Sequence, residues 1–349
     1  MTERRLRIVL LCVVTLLVLG LVVLLRPGPA LYRVTILPYP GGGYMTACGM
    51  NDRGQIVGLA RALSGETHLF LWNRGKGLQD LGPVTGNYLG INNAGQIAGT
   101  MVDPNGKQQV FLWDPNTGRQ LLGTLGGTWP QAIAINDSGQ VVAVVGLPLG
   151  VSHAFLWDGA DGMRDLGPGC PCAINNAGQI LVATGPGPVG DLLLSANGGS
   201  TGARMPVTTL GLRSINNHGC VVGHPTVSGI GPGLAIWHSN SGVMTSTRIG
   251  GDARAYIIND VNQVLFAREQ SGRYKIFGRV IPPYRIRCYL QDPVRALIPL
   301  SGYVHPGPNE YFYPVDLNDK GCIVGAIGPN RGRASRVVLL EPIPERWGR

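Results

Sequence analysis

Histidine and carboxylate side chains are the groups with which this chain could bind a metal ion or transfer protons. His68 and His153 each lie 17 residues after an asparagine, Asn51 and Asn136 respectively. Because one repeated position explains both histidines, packing or hydrogen bonding inside a repeat is favoured over metal binding. The chain has no H-x-x-x-H or H-E-x-x-H pattern, so the sequence predicts no metal site and no cofactor.

Four aspartates share another repeated position, directly after such an asparagine: Asp52, Asp137, Asp260 and Asp319. Other repeats have asparagine there, which a catalytic carboxylate would not tolerate, so we expect these aspartates to cap a hairpin turn. A glycosidase needs two acids roughly 5 to 10 Å apart. The acids outside the repeat that could form such a pair are Asp191, Asp252, Glu269, Asp292 and Glu310.

Six of the seven cysteines lie outside the N-terminal apolar segment, and an even number in an exported domain permits disulfides. Their pairing stays open. The closest pair is spaced C-x-C, which does not fit a zinc site. The candidate disulfide cysteines are Cys48, Cys170, Cys172, Cys220, Cys288 and Cys322.

The elements that position these groups are seven repeats, each beginning with an apolar-Asn-Asn/Asp-x-Gly hairpin pattern such as INNAGQIAG from Ile91. The repeat asparagines are spaced by 41, 44, 39, 41, 43 and 59 residues and are Asn51, Asn92, Asn136, Asn175, Asn216, Asn259 and Asn318. The hairpin supplies two strands, and asparagine and glycine at its tip suit the backbone of a tight turn.

Two more short strands follow each hairpin. The third ends in Trp72, Trp113, Trp157 or Trp237 in four repeats, and its counterparts elsewhere are residues 192–194, 274–277 and 336–339. The fourth is predicted over 78–82, 120–125, 163–167, 207–211 and 243–249. Four strands in about 40 to 45 residues match a propeller blade. The sequence therefore predicts an all-β, seven-bladed β-propeller with four-stranded blades.

The two ends of the repeat region complement each other. Residues 32–37 read as a fourth strand without three strands before it, and the last repeat stops after its third strand. Pairing them completes the seventh blade and removes an open sheet edge. We expect a monomeric propeller over residues 31–341, followed by a tail over 342–349.

The N terminus carries a separate signal, because Arg4, Arg5 and Arg7 precede an unbroken apolar run over residues 8–25. A helix of that length spans roughly 27 Å, close to the hydrocarbon thickness of a membrane. The run is longer than the core of a cleaved signal peptide, so an uncleaved anchor is favoured. The positive-inside rule then keeps residues 1–7 in the cytoplasm and places the linker 26–30 and the propeller outside it, in the periplasm or beyond the cell.

The net charge of +9 is spread thinly over the sequence and forms no Lys/Arg stripe. Such a stripe is the electrostatic footprint of a nucleic-acid-binding protein. We therefore expect no nucleic-acid partner.

The repeat also resembles a known family. His153 to Trp157 read His-Ala-Phe-Leu-Trp, followed by Asp165-Leu166-Gly167 and an INNAGQI hairpin. In this combination, residues 31–341 resemble the HAF-repeat family of extracellular bacterial proteins. The resemblance implies an exported repeat architecture and brings no shared catalytic residues.

One interval breaks the repeat, since 59 residues separate Asn259 from Asn318 and the excess falls at about 278–310. Insertions in repeat proteins form loops on one face, and Tyr and Arg are enriched in recognition patches. Two interpretations stay open, a ligand-binding loop and a loop that only covers the channel. In the first, the binding residues are Tyr284, Arg285, Arg287, Tyr289, Tyr303 and His305.

These observations favour a non-enzymatic module, anchored in the cell membrane, that binds protein or glycan outside the cell. One alternative is an extracytoplasmic hydrolase or lyase acting on carbohydrate with acids at the channel mouth. Another is a structural protein of the cell envelope. Two facing acids from outside the repeat would favour the enzyme, and an uncharged channel would favour the binding module.

Overall fold

The computed structural model describes residues 31–39, 41, 43–61, 63–84, 86, 89–124, 126–184, 192–195, 203–204, 207–208, 214–225, 233–248, 252–271, 274–276, 279–281, 284–294, 296–304, 306–307, 310–329 and 336–344. No helix among these residues is both long enough and apolar enough to span a membrane. The predicted anchor over 8–25, its flanks 1–7 and 26–30, and His305 lie outside the described residues.

The chain folds into seven antiparallel sheets that follow one another along the sequence, which confirms the predicted seven-bladed propeller. The first blade contains β2 (Tyr44–Met50), β3 (Ile56–Arg61), β4 (Thr67–Asn73) and β5 (Gly77–Pro83). The second contains β6 (Leu89–Ile91), β7 (Ile97–Val102), β8 (Gln108–Asp114) and β9 (Gly118–Gly123). The third contains β10 (Thr128–Ile135), β11 (Val141–Gly146), β12 (Ser152–Asp158) and β13 (Gly162–Pro168), with a short 3-10 helix at Pro148–Gly150.

The later blades are less regular. The fourth contains β14 (Cys170–Ile174), β15 (Gln179–Ala183), β16 (Leu192–Ser195) and β17 (Ala203–Arg204). The fifth has an interrupted first strand, β18 (Val207–Thr208) and β19 (Ser214–Ile215), which both pair with β20 (Cys220–Pro225), followed by β21 (Gly233–His238) and β22 (Met244–Arg248). The sixth contains β23 (Asp252–Ile258), β24 (Val264–Ser271), β27 (Tyr284–Asp292) and β28 (Ala296–Pro299), with a two-stranded ribbon of β25 (Tyr274–Ile276) and β26 (Arg279–Ile281).

The seventh blade closes the propeller with a strand from the other end of the domain. It contains β29 (Glu310–Leu317), β30 (Ile323–Pro329), β31 (Arg336–Pro342) and β1 (Tyr32–Ile36), in the order β1-β31-β30-β29. A 3-10 helix at Leu300–Gly302 precedes it. The backbone N–H of Leu37 donates to the Val337 carbonyl at 2.9 Å. The predicted closure by the N-terminal strand is therefore confirmed.

The chain has two compact units, Val34–Glu341, which holds the blades, and a small unit of Met1–Arg33 and Pro342–Arg349. In the small unit, the backbone N–H of Ile343 donates to the Leu31 carbonyl at 2.9 Å.

The core consists of apolar layers between neighbouring blades. One layer joins Val57 and Leu69 of the first blade to Leu89, Ile97 and Phe111 of the second. Alternating side chains on each strand supply these layers, since successive residues of a strand point to opposite faces of the sheet. Face-to-face packing of sheets thus fixes each blade against the next.

Two strand assignments from sequence were wrong. Residues 274–277 were predicted as the third strand of the sixth blade, but β24 pairs with β27, and β25 pairs only with β26 in the connecting ribbon. Residues 207–211 were predicted as the fourth strand of the fourth blade, which is instead β17, while β18 pairs with β20. Both errors arose from constant spacing, which fails where the connection between two strands changes length.

Candidate functional site

The central channel is lined by the seven repeat hairpins, and the asparagine of each performs two tasks. In the first blade, the Asn51 side-chain oxygen accepts the backbone N–H groups of Arg53 at 3.1 Å and Gln55 at 3.0 Å, which caps its own turn. The Asn51 amide donates to the Gln55 side chain at 2.8 Å and to the backbone carbonyl of Asn92 in the next blade at 2.9 Å. One residue therefore holds both its own hairpin and its neighbour.

The bond to the next blade recurs at every blade boundary and forms a closed ring of seven hydrogen bonds. After the first blade, the amide-to-carbonyl distances around the ring are 3.0, 3.2, 2.9, 3.0, 2.9 and 3.1 Å. The last of them runs from Asn318 back to the carbonyl of Asn51. All seven asparagines are at most 5% exposed, so no solvent competes for these bonds.

A second ring lies one residue further along each hairpin. Each backbone N–H at this position donates to the side-chain oxygen of the equivalent residue in the next blade, at 2.7 to 2.9 Å, and the ring closes from Asp319 to Asp52. The predicted role of the aspartates as caps of their own turns was therefore wrong. The asparagine before them caps the turn, and the aspartates join blades. The two rings surround a polar cavity of about 180 Å³.

Acids and amides are distributed unevenly around the second ring. Amide side chains separate several of the acids: Asn93 donates to Asp52 at 2.8 Å and to Asp137 at 3.1 Å. No amide lies between Asp260, Asp319 and Asp52, which follow one another around the ring. Burial and the neighbouring charges of Asp52 and Asp260 raise the pKa of Asp319 to about 6. The mouth of the channel is thus most acidic where the sixth, seventh and first blades meet.

Asp316 adds an acid at the same junction that sequence reasoning missed. It lies at a bulge in β29, where its two carboxylate oxygens accept the backbone N–H groups of Met50 and Leu317, both at 2.8 Å. Burial of the carboxyl raises its pKa to about 6. The equivalent position, two residues before the repeat asparagine, is Gly49, Gly90, Ala134, Ala173, Ser214 or Ile257 in the other blades. That break in the repeat was the available signal.

The raised pKa of Asp316 predicts a loss of stability as the pH rises. The pKa of this carboxyl is near 3.8 in the unfolded chain and about 6 in the folded chain. Its protonated form therefore stabilises the folded state fully below pH 3.8, and this stabilisation is lost as the pH rises through 6. The free energy of unfolding changes by up to about 3 kcal/mol over this range. Asp316→Asn, which mimics the protonated acid, should make the free energy of unfolding fall less between pH 4.5 and pH 7.5. Denaturant unfolding at both pH values measures this.

The control for that experiment is Asp161→Asn, in an exposed turn of the third blade. It should leave the pH dependence as in the parent chain. If the free energy of unfolding of Asp316→Asn had the same pH dependence as that of the parent, the raised pKa of Asp316 would be contradicted.

The repeat histidines pair with the aspartate of the Asp-Leu-Gly segment twelve residues later. The Nδ1 atom of His68 lies 2.7 Å from the Asp80 carboxylate, and that of His153 lies 2.9 Å from Asp165. Hydrogen bonding to Asp80 raises the pKa of His68. These pairs join the third and fourth strands of their blades. This agrees with the predicted role of the histidines in hydrogen bonding inside a repeat.

The five acids outside the repeat occupy different surroundings. Asp292 is buried and accepts the Gln263 amide at 2.7 Å, and Glu310 pairs with Arg336. Asp191 lies outside the described residues. Asp252 and Glu269 are direct partners in the register between β23 and β24. Two acidic positions from outside the repeat therefore share one face of the sixth blade.

The predicted binding residues of the insertion lie mainly on a strand. Four of the predicted residues belong to β27: Tyr284, Arg285, Arg287 and Tyr289. The extra residues before it include the ribbon of β25 and β26, in the connection from β24. Arg287 is exposed. Tyr289 is 9% exposed and its ring stacks on Phe266 with centroids 5.5 Å apart, which places it in the core rather than on a binding surface.

Tyr303 lies at the end of the 3-10 helix and is half-buried, with its backbone N–H donating to the Leu300 carbonyl at 3.0 Å. Four of the six predicted positions therefore lie on one strand, which the β25–β26 ribbon precedes along the chain. Tyr303 is separated from that strand along the chain by β28.

All six candidate disulfide cysteines are free thiols in the structure. Burial raises the pKa of Cys48 and Cys288 to about 12 and that of Cys322 to about 11. The thiol of Cys220 lies 3.1 Å from Nδ1 of His238. A raised pKa keeps a thiol protonated and unreactive. Within the described part of the chain, no group of three or more His, Cys, Asp and Glu side chains is placed to hold a metal ion.

The structure also contains a surface pocket that sequence reasoning missed. It has a volume of about 630 Å³ and lies between the β7–β8 turn of the second blade and the connection from β9 to β10. Trp129 is 75% exposed beside it. This tryptophan belongs to none of the four repeat positions, all of which are buried or half-buried. Its signal in the sequence was that exception to the repeat.

Comparison with protein-family models and with curated proteins finds no match to this sequence. Among solved structures, the β-propeller domain of the Trilobed protease from Pyrococcus furiosus matches with a TM-score of 0.51 and 10% identity, over 85% of this chain and 93% of that chain. An acylaminoacyl peptidase gives a TM-score of 0.58 and 12% identity, over 85% of this chain and 51% of that chain. At these identities the likeness shows the β-propeller fold alone.

Proposed function

We propose that this chain is a membrane-anchored β-propeller of the HAF-repeat type that binds glycan or protein outside the cell without transforming it. The observation that carries the proposal is the contrast between two concave regions in the part of the chain that the structure describes. The polar groups of the channel are engaged in two closed rings of inter-blade hydrogen bonds, whereas the pocket beside Trp129 is open and of ligand-binding size.

The hydrogen bonds of the second ring argue against a catalytic role for the repeat acids. The backbone N–H groups of the neighbouring blade occupy one oxygen of each ring aspartate, as between Asp260 and Asp319 at 2.7 Å. A general acid or base must reach the substrate proton directly or through one water. The rings therefore act as the rigid frame of a recognition surface.

The location outside the cell rests on the apolar run over residues 8–25 and the arginines before it. A C-terminal fusion to alkaline phosphatase, which is active only after export, should be active in the full chain. The same fusion to a reporter active only in the cytoplasm should be silent. The opposite pattern would contradict the proposed location.

One observation favours the second candidate, a carbohydrate hydrolase or lyase. Asp252 and Glu269 are direct register partners, so the sixth blade brings two acids from outside the repeat together on adjacent strands. Retaining glycosidases use two acids whose carboxyl groups lie about 5 to 5.5 Å apart. The pair lies at the end of the sixth blade away from the repeat hairpin.

One experiment distinguishes these functions. The full chain in detergent is applied to a glycan array and to a lysate of surface-exposed proteins, and retained glycans are analysed by mass spectrometry after prolonged incubation. A binding module leaves its glycan intact. Cleavage that disappears in Asp252→Asn and Glu269→Gln would replace the proposal by the enzyme, and absence of any retained partner would favour a structural role in the envelope.

A further inference from the structure

We propose that the pocket beside Trp129 binds a hexopyranose unit of a glycan, with the indole of Trp129 as the stacking platform. This inference rests on the proposed binding function and identifies its site and ligand class. Three observations support the inference. They are the backbone conformation at the tryptophan, the chemistry of the pocket lining and the face of the propeller on which the pocket lies.

The backbone at Trp129 is built to hold the indole outward. Thr128 pairs with Gly146 and Gln131 pairs with Val144, so Trp129 and Pro130 together lie opposite the single residue Val145. Such a β-bulge re-aims a side chain and is common beside binding sites. The pairing of β10 thus turns a residue of a regular strand towards solvent.

Trp129 also has a φ of 52°, a conformation that a bulky residue adopts only at a cost in free energy. Glycine, which is abundant in this chain and precedes it at Gly126 and Gly127, would fit that backbone without strain. A strained backbone combined with an indole that is 75% exposed contributes little to the core. Both features are accounted for if the indole serves a ligand.

The lining of the pocket suits a sugar. Beside the indole lie Lys107, Gln108, Gln109, Thr124 and Thr128. A pyranose has an apolar C–H face, which an aromatic ring covers, and hydroxyl groups at its edge, which need both donors and acceptors. Amide and hydroxyl side chains supply both. The Gln109 amide lies 3.3 Å from the Asp103 carboxylate, a contact that orients this side chain at the pocket wall.

The position of the pocket fits recognition of an extended ligand. It is formed by a connection between second and third strands and by a connection between blades, so it opens on the end of the blades opposite the repeat hairpins. The β25–β26 ribbon, which joins the second and third strands of the sixth blade, lies at the same end of its blade. The face away from the two rings therefore carries both the pocket and the ribbon.

The test uses the full chain with cellotetraose, chitotetraose and maltotetraose as probes, and reads binding from the intrinsic tryptophan fluorescence and by calorimetry. Trp129→Gly should weaken binding of the preferred probe by about tenfold or more, because the stacking surface is lost. Trp129→Tyr should retain part of the affinity. Leu63→Ala, which removes another exposed apolar side chain, should change nothing.

The melting temperature shows whether the glycine variant folds. It should equal or exceed that of the parent chain, since glycine accepts the positive φ. Unchanged affinity in Trp129→Gly would overturn this site and leave the binding function standing elsewhere on the propeller. Capture of protein but of no glycan would also overturn the inference alone, whereas cleavage of the probes would overturn the proposed function itself.

Discussion

Asn175→Ala should lower the free energy of unfolding by about 3 to 5 kcal/mol, because it removes three hydrogen bonds, one fully buried and two partly buried, and leaves partners unsatisfied. The Asn175 oxygen accepts the Gln179 backbone N–H at 2.8 Å. Its amide donates to the Gln179 side chain at 2.7 Å and to the Asn216 carbonyl at 2.9 Å. Denaturant unfolding at constant pH measures the change.

Two variants sharpen this experiment. Asn175→Asp keeps the acceptor that caps the turn but loses the amide that reaches Asn216, so it should also be strongly destabilising at neutral pH. Asn240→Ala removes an exposed asparagine with two long contacts, each 3.5 Å, to the His218 carbonyl and the Ser239 hydroxyl, and should change stability by less than about 0.5 kcal/mol. A loss below about 1 kcal/mol in Asn175→Ala would show that the ring is not a major source of stability.

Gly58→Ala should destabilise the first blade by about 2 to 3 kcal/mol, since there is no space for a methyl group. A Cβ atom at Gly58 would lie 2.1 Å from the Thr46 carbonyl oxygen and 2.6 Å from the Phe70 ring. The nearest atom belongs to the backbone of the paired strand, so the strands would have to separate. The free energy of unfolding again provides the measurement.

Three comparisons identify the cause of that loss. At Gly99, the equivalent position of the second blade, the three nearest atoms to a new Cβ belong to the Leu89 and Phe111 side chains, so Gly99→Ala should cost less than Gly58→Ala. Gly75→Ala, in an exposed turn with its nearest atom at 3.4 Å, should be nearly neutral. Rescue of Gly58→Ala by Phe70→Leu would show that the ring, and not the backbone, sets the cost.

The architecture could be predicted from sequence because its determinants are local and repeated. The spacing of the asparagines predicted seven hairpins, and the spare strand at residues 32–37 predicted the closure observed between β1 and β31. The hydrogen bonds between the asparagines of neighbouring blades could not be predicted. A bond from a side chain to a backbone carbonyl 41 residues away produces no sequence pattern other than the repeat itself.

The candidate sites were harder to predict because they depend on departures from the repeat. Trp129 becomes a surface feature only through a bulge in β10, and a bulge is set by register, which spacing alone does not reveal. Asp316 is half-buried against the first blade because strands at opposite ends of the domain are neighbours in space. In the sixth blade, the ribbon lengthens the connection after the second strand, so the third strand is β27 and lies later in the sequence than the spacing predicted.

The inner ring of seven bonds has a consequence for how such a chain can change over evolutionary time. Each asparagine amide binds a main-chain carbonyl, which every amino acid possesses, so this bond does not depend on the side chains of the neighbouring repeat. The outer strands can therefore differ from unit to unit, and several units do lack the histidine and tryptophan that others have. The asparagine itself must be present in every repeat, because its absence from any one of them would break the closed ring of inter-blade hydrogen bonds.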